Sequence, residues 1–138
     1  MRVALLFAAV TFLWSVPALP QSPADLCTGD VTVVRVSTIK PGAMQTFMAA
    51  VAAHKAWYRA NGVTDNEIVT APVLVRDQAT KLWKLSDIEV MSFHIRPPAN
   101  SRTPNRGDAA WNAYVKQYRD SSDLKSEYMT CMPKHGRQ

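Results

Sequence analysis

The hydrophobic period of this 138-residue chain changes repeatedly along its length. The order of those changes limits the available folds more than any other feature. The first element, Asp30–Ile39, reads DVTVVRVSTI and is dense in β-branched residues. Alternation sets Val31, Val33, Arg35 and Ser37 on one side and Thr32, Val34, Val36 and Thr38 on the other, which is the signature of a strand. Lys40, Pro41 and Gly42 break that pattern. Residues 43–62, AMQTFMAAVAAHKAWYRANG, are rich in Ala with no interior Pro, and this composition favours a helix. Met44, Phe47, Met48, Val51 and Tyr58 recur at three- and four-residue steps and form its apolar stripe. His54 falls at the edge of that stripe, and Trp57 lies well off it. Gly62 stops the helix where a left-handed residue is wanted.

Residues 66–77, NEIVTAPVLVRD, return to a strand. Pro72 lacks a backbone donor, so this strand belongs at a sheet edge or carries a bulge. Gln78 to Lys81 read as a hairpin turn. Residues 82–96 form a third strand, bent near Ser86 and Asp87. Its faces are Ile88, Val90, Ser92, His94 and Glu89, Met91, Phe93, Ile95. Both are largely apolar, which predicts that both sides of the sheet are covered. A loop dense in Pro, Asn and Gly occupies residues 97–107. Asp108 then caps a second helix over residues 109–122, with Trp111, Tyr114, Val115 and Tyr118 as its stripe. Residues 124–133 supply a fourth strand.

The N-terminus has the order of a cleaved secretory signal: Arg2, an apolar run from Val3 to Trp14, then small residues and prolines. The signal is expected to occupy residues 1–24, with cleavage after Ala18 or Ala24. The competing reading is a buried N-terminal helix. The run is shorter than the roughly 20 residues a bilayer span needs, and no later stretch is apolar enough to span. These features predict a secreted or periplasmic protein without stable membrane insertion, made of a single domain over residues 25–133 and a disordered tail at 134–138. Export gives meaning to the cysteine count of two. An isolated pair, Cys27 and Cys131, in an oxidising compartment reads as one disulfide. Free thiols or pairing between chains are the alternatives. The chain carries 16 basic and 11 acidic residues, a net charge of +5. The basic residues are spread out and lack interleaved aromatics, so no nucleic-acid partner is expected.

Strand, helix, strand, strand, helix, strand is the βαββαβ order of a ferredoxin-like α+β fold with a four-stranded antiparallel sheet. The compact size, the K-P-G at residues 40–42 and the two apolar sheet faces resemble the dimeric α+β barrel superfamily over residues 31–132. That group includes small cofactor-independent monooxygenases, stress-responsive barrel proteins and some haem enzymes. The exported form looks closer to secreted bacterial members than to the mostly cytoplasmic branches. The resemblance implies a homodimer in which one sheet face carries the helices and the other closes a barrel that holds a ligand. It also implies that strand four lies antiparallel beside strand one, which brings Cys27 to Cys131. No catalytic set of any branch matches, so no catalytic residue is carried over.

The residues themselves offer four ligand-binding candidates. His54 and Tyr58 stand one turn apart on helix one and could serve a cavity as base and hydrogen-bond donor. The simpler reading is helix packing, in which Tyr58 extends the apolar stripe and His54 flanks it. His94, on a strand among apolar neighbours, is a ligand contact or a satisfied core group. Arg35, among valines, needs a partner: Glu89, Glu127 or an anionic ligand. Asp65, Asn66 and Glu67 read as turn chemistry before they read as a metal site. No metal-binding or cofactor motif is present, so neither a metal nor a cofactor is expected. Two functions follow. One is an exported α+β barrel that binds a small, partly apolar molecule or a partner protein. The other is a cofactor-independent monooxygenase- or isomerase-like enzyme acting in the barrel cavity. Convergence of two or more of Arg35, His54, Tyr58 and His94 on one cavity distinguishes the enzyme from the structural module.

Overall fold

The computed structural model describes residues 22–99 and 103–134. Residues 1–21 of the expected signal, and all of the expected tail except Lys134, lie outside them. The elements are a short turn of helix α1 (Pro23–Leu26), β1 (Asp30–Ile39), α2 (Met44–Ala60), β2 (Glu67–Arg76), β3 (Trp83–Ile95), α3 (Ala109–Ser121) and β4 (Ser122–Met132). No described helix is long and apolar enough to cross a membrane.

The strands form one antiparallel sheet in the order β2-β3-β1-β4. This is the ferredoxin-like arrangement, with the two longest-range partners of β1 on either side of it. Pro72 lies in the edge strand β2. The pairing of β2 with β3 shifts between Pro72 and Leu74, so the proline marks both an edge and a bulge. The matching bend in β3 is held by Ser86, whose Oγ accepts from the N–H groups of Ile88 and Glu89. The β2–β3 turn closes between Asp77 and Leu82, and Asp77 Oδ1 accepts from the N–H groups of Ala79 and Thr80.

Strand β4 beside β1 brings the chain ends together. Val31 is paired with Cys131, and Cys27 forms a disulfide with Cys131 across 104 residues of sequence. The chain passes so close there that a Cβ on Gly29 would meet the Met132 carbonyl oxygen at 1.9 Å. Only glycine fits. At the end of α2, Gly62 adopts a φ of +74° and the Val63 N–H reaches back to the Tyr58 carbonyl. This is the left-handed stop the sequence calls for.

The helices pack on one another and, through a shared buried cluster, on Ile39, Ile68 and Val90 of the sheet. The core between them contains Ile39, Phe47, Val51, Trp57, Tyr58, Ile68, Val90 and Tyr114. The expected stripe on α2 needs correction. The buried face is Phe47, Ala50, Val51, His54, Trp57 and Tyr58. His54, expected at the margin, lies at its middle and is 8% exposed; Trp57 is 4% exposed, and Met48 is 44% exposed. The cause is α3, which crosses α2 on the side of Trp57. There the Trp57 indole Nε1–H donates to Asp108 at 3.1 Å. Asp108 also accepts from the Trp111 N–H at 2.6 Å as the cap of α3.

Candidate functional site

The side of the sheet that faces the helices carries an unusual set of residues. On β1 the alternation sets Val33, Arg35 and Ser37 toward the helices, and on β3 it sets Val90, Ser92 and His94 there. The antiparallel register pairs Val33 with His94 and Arg35 with Ser92, so a polar row crosses the middle of the sheet. A continuous apolar core cannot form over such a row. A cleft remains there between the helices and the sheet.

The cleft has two adjoining chambers, of about 420 and about 820 Å3. Arg35, His54, His94, Tyr118 and Val33 line both. Tyr58, Trp111, Tyr114, Arg106 and Glu127 line the wider one, whose rim includes Pro23 and Pro97. All four candidates named from the sequence therefore meet at one cleft. That cleft lies within one chain, on the helix side of the sheet, whereas a barrel cavity would lie between two sheets.

His54 is the hub of an aromatic cluster. Its ring stacks on Tyr114 with centroids 4.5 Å apart, lies 4.8 Å from Tyr58 and meets His94 edge-on at 5.6 Å. Its Nδ1 is 3.5 Å from the Tyr118 hydroxyl. Its Nε2 is buried without a partner among the described residues, as is the Tyr114 hydroxyl. Burial drives the His54 pKa down to about 3, helped by the nearby His94 and Arg35. His94 is pulled down to about 4, by burial first and Arg35 second. Both rings are therefore neutral at pH 7. Asn66 Nδ2 lies 3.1 Å from His94 Nε2 and donates to it, which leaves the proton of His94 on Nδ1. Burial raises the pKa values of Tyr58, Tyr114 and Tyr118, so all three keep their hydroxyl protons.

Arg35 is half-exposed in the cleft, and its Nε–H donates to Glu127 on β4, the residue opposite it. Of the two carboxylates expected for it, Glu89 is instead held by Lys125. Arg106 lies 4.9 Å from the centre of the Trp111 ring at the cleft wall. Of the 65–67 turn, only Asn66 reaches the site; the Asp65 carbonyl accepts from Arg96 Nε–H at 2.6 Å. Among the described residues, no three metal-ligating side chains converge.

In the sequence Tyr114 and Tyr118 read as helix packing, and nothing in the local pattern alone brings Ser37, Ser92 or Asn66 to the site. The signal available was parity. Arg35 and Ser37 on one strand, and Ser92 and His94 on another, each put two polar residues on a single face.

The fold and cleft define a small α+β protein of ferredoxin-like topology with an aromatic-walled, polar-floored cavity. No protein-family model and no curated protein matches the sequence. One solved structure, SnoaB, a cofactor-independent oxygenase from Streptomyces nogalater, is similar at 12% identity and a TM-score of 0.48. The match covers 80% of this chain and 100% of that one. The assignment of the fold rests on the strand order itself.

Proposed function

We propose that this is an exported protein whose cleft binds a small, partly apolar molecule. One observation carries the reading. Arg35, His54, Tyr58 and His94, from three different elements, converge on one cleft where buried polar atoms lack partners. An unpartnered buried polar group is costly, and a ligand that supplies the missing hydrogen bond repays that cost. The aromatic walls supply apolar contact area. Native mass spectrometry of protein purified from its export compartment tests the reading. A bound small molecule that is lost in His54→Leu supports it. A cleft that never retains or takes up a small molecule, in either protein, defeats it. N-terminal sequencing of the same sample should begin at Leu19 or Asp25.

The same convergence of Arg35, His54, Tyr58 and His94, which separates an enzyme from a structural module, joins the partnerless Nε2 of His54 in favouring a second reading, in which the cleft is catalytic. A neutral imidazole can take a proton from an acidic C–H or O–H of the ligand. The ligand is left as an anion and His54 as an imidazolium. Burial makes His54 a weak base, but the anion formed beside it favours the charged ring. Return of the proton to another carbon is isomerisation. Reaction of the carbanion with dissolved dioxygen is oxygenation without a cofactor. His54→Gln that binds the ligand yet turns it over no more slowly than wild type refutes this reading.

The opposite sheet face supports a homodimer. Val34, Val36, Met91, Phe93 and Tyr128 are neighbours there by register; Val34 and Val36 are buried within the sheet, and Met91 and Phe93 are half-buried. Tyr128 is 51% exposed. Water against this face costs about 25 cal/mol per Å2 of apolar area, and a second copy removes that area. Light scattering at micromolar concentration should give a dimer mass for wild type and a monomer mass for Phe93→Asp. A monomeric wild type sinks the dimer.

A further inference from the structure

We infer that the ligand of this cleft is an organic anion, a carboxylate on an aromatic or alicyclic body, with its charged group docked against Arg35. The inference rests on the reading of the cleft as a ligand site. Arg35 stands in the middle of β1, between Ser92 and Glu127 on the neighbouring strands. Its Nε–H is taken by Glu127. Its two Nη groups have no partner among the described residues, although a guanidinium presents five N–H donors in a rigid fork. The outer edge of that fork is the edge that matches a carboxylate in bidentate fashion.

The charges around it point the same way. In the wider chamber α2 presents His54 and Tyr58, α3 presents Tyr114 and Tyr118, and β3 presents His94; all are neutral at pH 7. Two guanidiniums, Arg35 and Arg106, face one carboxylate, Glu127. The narrower chamber adds one residue of each sign, Arg119 and Asp123. Asp108, behind the wall, is already engaged by Trp57 and by the cap of α3. A cationic ligand meets carboxylates that already face a cation: Glu127 is held by Arg35, and Asp123 lies 3.9 Å from Lys40 Nζ. A neutral apolar ligand covers the open fork of Arg35 without satisfying it. An anion satisfies it, and the donors left over on His94 Nδ1 and the tyrosine hydroxyls serve the same charge. The aromatic rings around His54 then receive the apolar body.

The test uses two probes of one shape, 2-naphthoate and 2-naphthamide, titrated calorimetrically into the disulfide-intact protein at pH 7. The anion should bind about tenfold tighter than the amide, because a charge-assisted bidentate pair is roughly twice as strong as a neutral one. Glu127→Gln removes the competing carboxylate and should widen the gap. The double variant Arg35→Gln with Glu127→Gln leaves no unpaired charge and should close the gap by weakening naphthoate alone. Circular dichroism and a urea midpoint confirm that each variant is folded. If wild type binds the amide as tightly as the anion, the anion inference fails while the cleft remains a ligand site. A gap that survives in the double variant overturns the role of Arg35. Binding of neither probe to wild type overturns both the inference and the reading beneath it.

Discussion

Acid should destabilise this protein through its two buried histidines, by an amount the site geometry sets. In the unfolded chain both rings titrate near 6.5. In the fold burial holds His54 at about 3 and His94 at about 4. Between those values and 6.5 the unfolded state binds more protons, so stability falls as pH falls. The contribution of the neutral rings is fully present above about pH 6.5 and is lost progressively below it. Between pH 7 and pH 5 each ring should cost about 2 kcal/mol, and the pair about 4 kcal/mol. That is a large fraction of the roughly 5–15 kcal/mol that holds a domain together. Arg35 and Arg106 oppose protonation of the rings and Glu127 favours it, so the charge set facing them does not reverse the sign. The assay is urea unfolding at pH 7, 6 and 5, at one ionic strength, with the disulfide intact. His94→Gln removes one titrating ring and should cut the pH dependence by about 2 kcal/mol. His94→Gln with the same pH dependence as wild type, or a wild type equally stable at pH 7 and pH 5, refutes the argument.

Intact mass before and after reduction with alkylation should show one intramolecular disulfide. Replacing Cys27 and Cys131 with Ser should lower stability by up to about 4–5 kcal/mol, the chain-entropy value for a loop of this size; a urea midpoint unchanged by the double replacement contradicts it. Asp108→Ala removes the cap of α3 and the acceptor of the Trp57 indole. The expected loss is about 2–3 kcal/mol, from about 1 for the cap and the rest for the stranded donor. A loss below about 0.5 kcal/mol, typical of an indifferent surface change, contradicts it.

Much of the fold is legible in local chemistry. β-branched alternation marks β1, Pro72 marks an edge strand with a bulge, Gln78 to Lys81 mark the hairpin turn, Asp108 caps α3 and Gly62 ends α2. Each of these depends on a residue and its near neighbours, so a pattern along the chain suffices. The order of elements then implies the strand order. The strand order in turn brings Cys27 to Cys131.

The orientation of α2 was not legible in this way. Its apolar residues alone, with Met44 and Met48 counted, turn the stripe away from His54 and Trp57. The structure turns it back, because a histidine and a tryptophan bury well when a second helix supplies aromatic neighbours and Asp108 accepts the indole proton. The site had the same dependence on distant partners. Sequence alone set Arg35, Ser92 and His94 on strands and gave the parity of each. Only the register of β1 against β3 and β4 placed Arg35 between Ser92 and Glu127, and His94 beneath His54. Register joins residues more than fifty positions apart, and side-chain parity repeats every second residue on any strand. Local pattern therefore says which face a residue takes, and only the packed sheet says what it meets there.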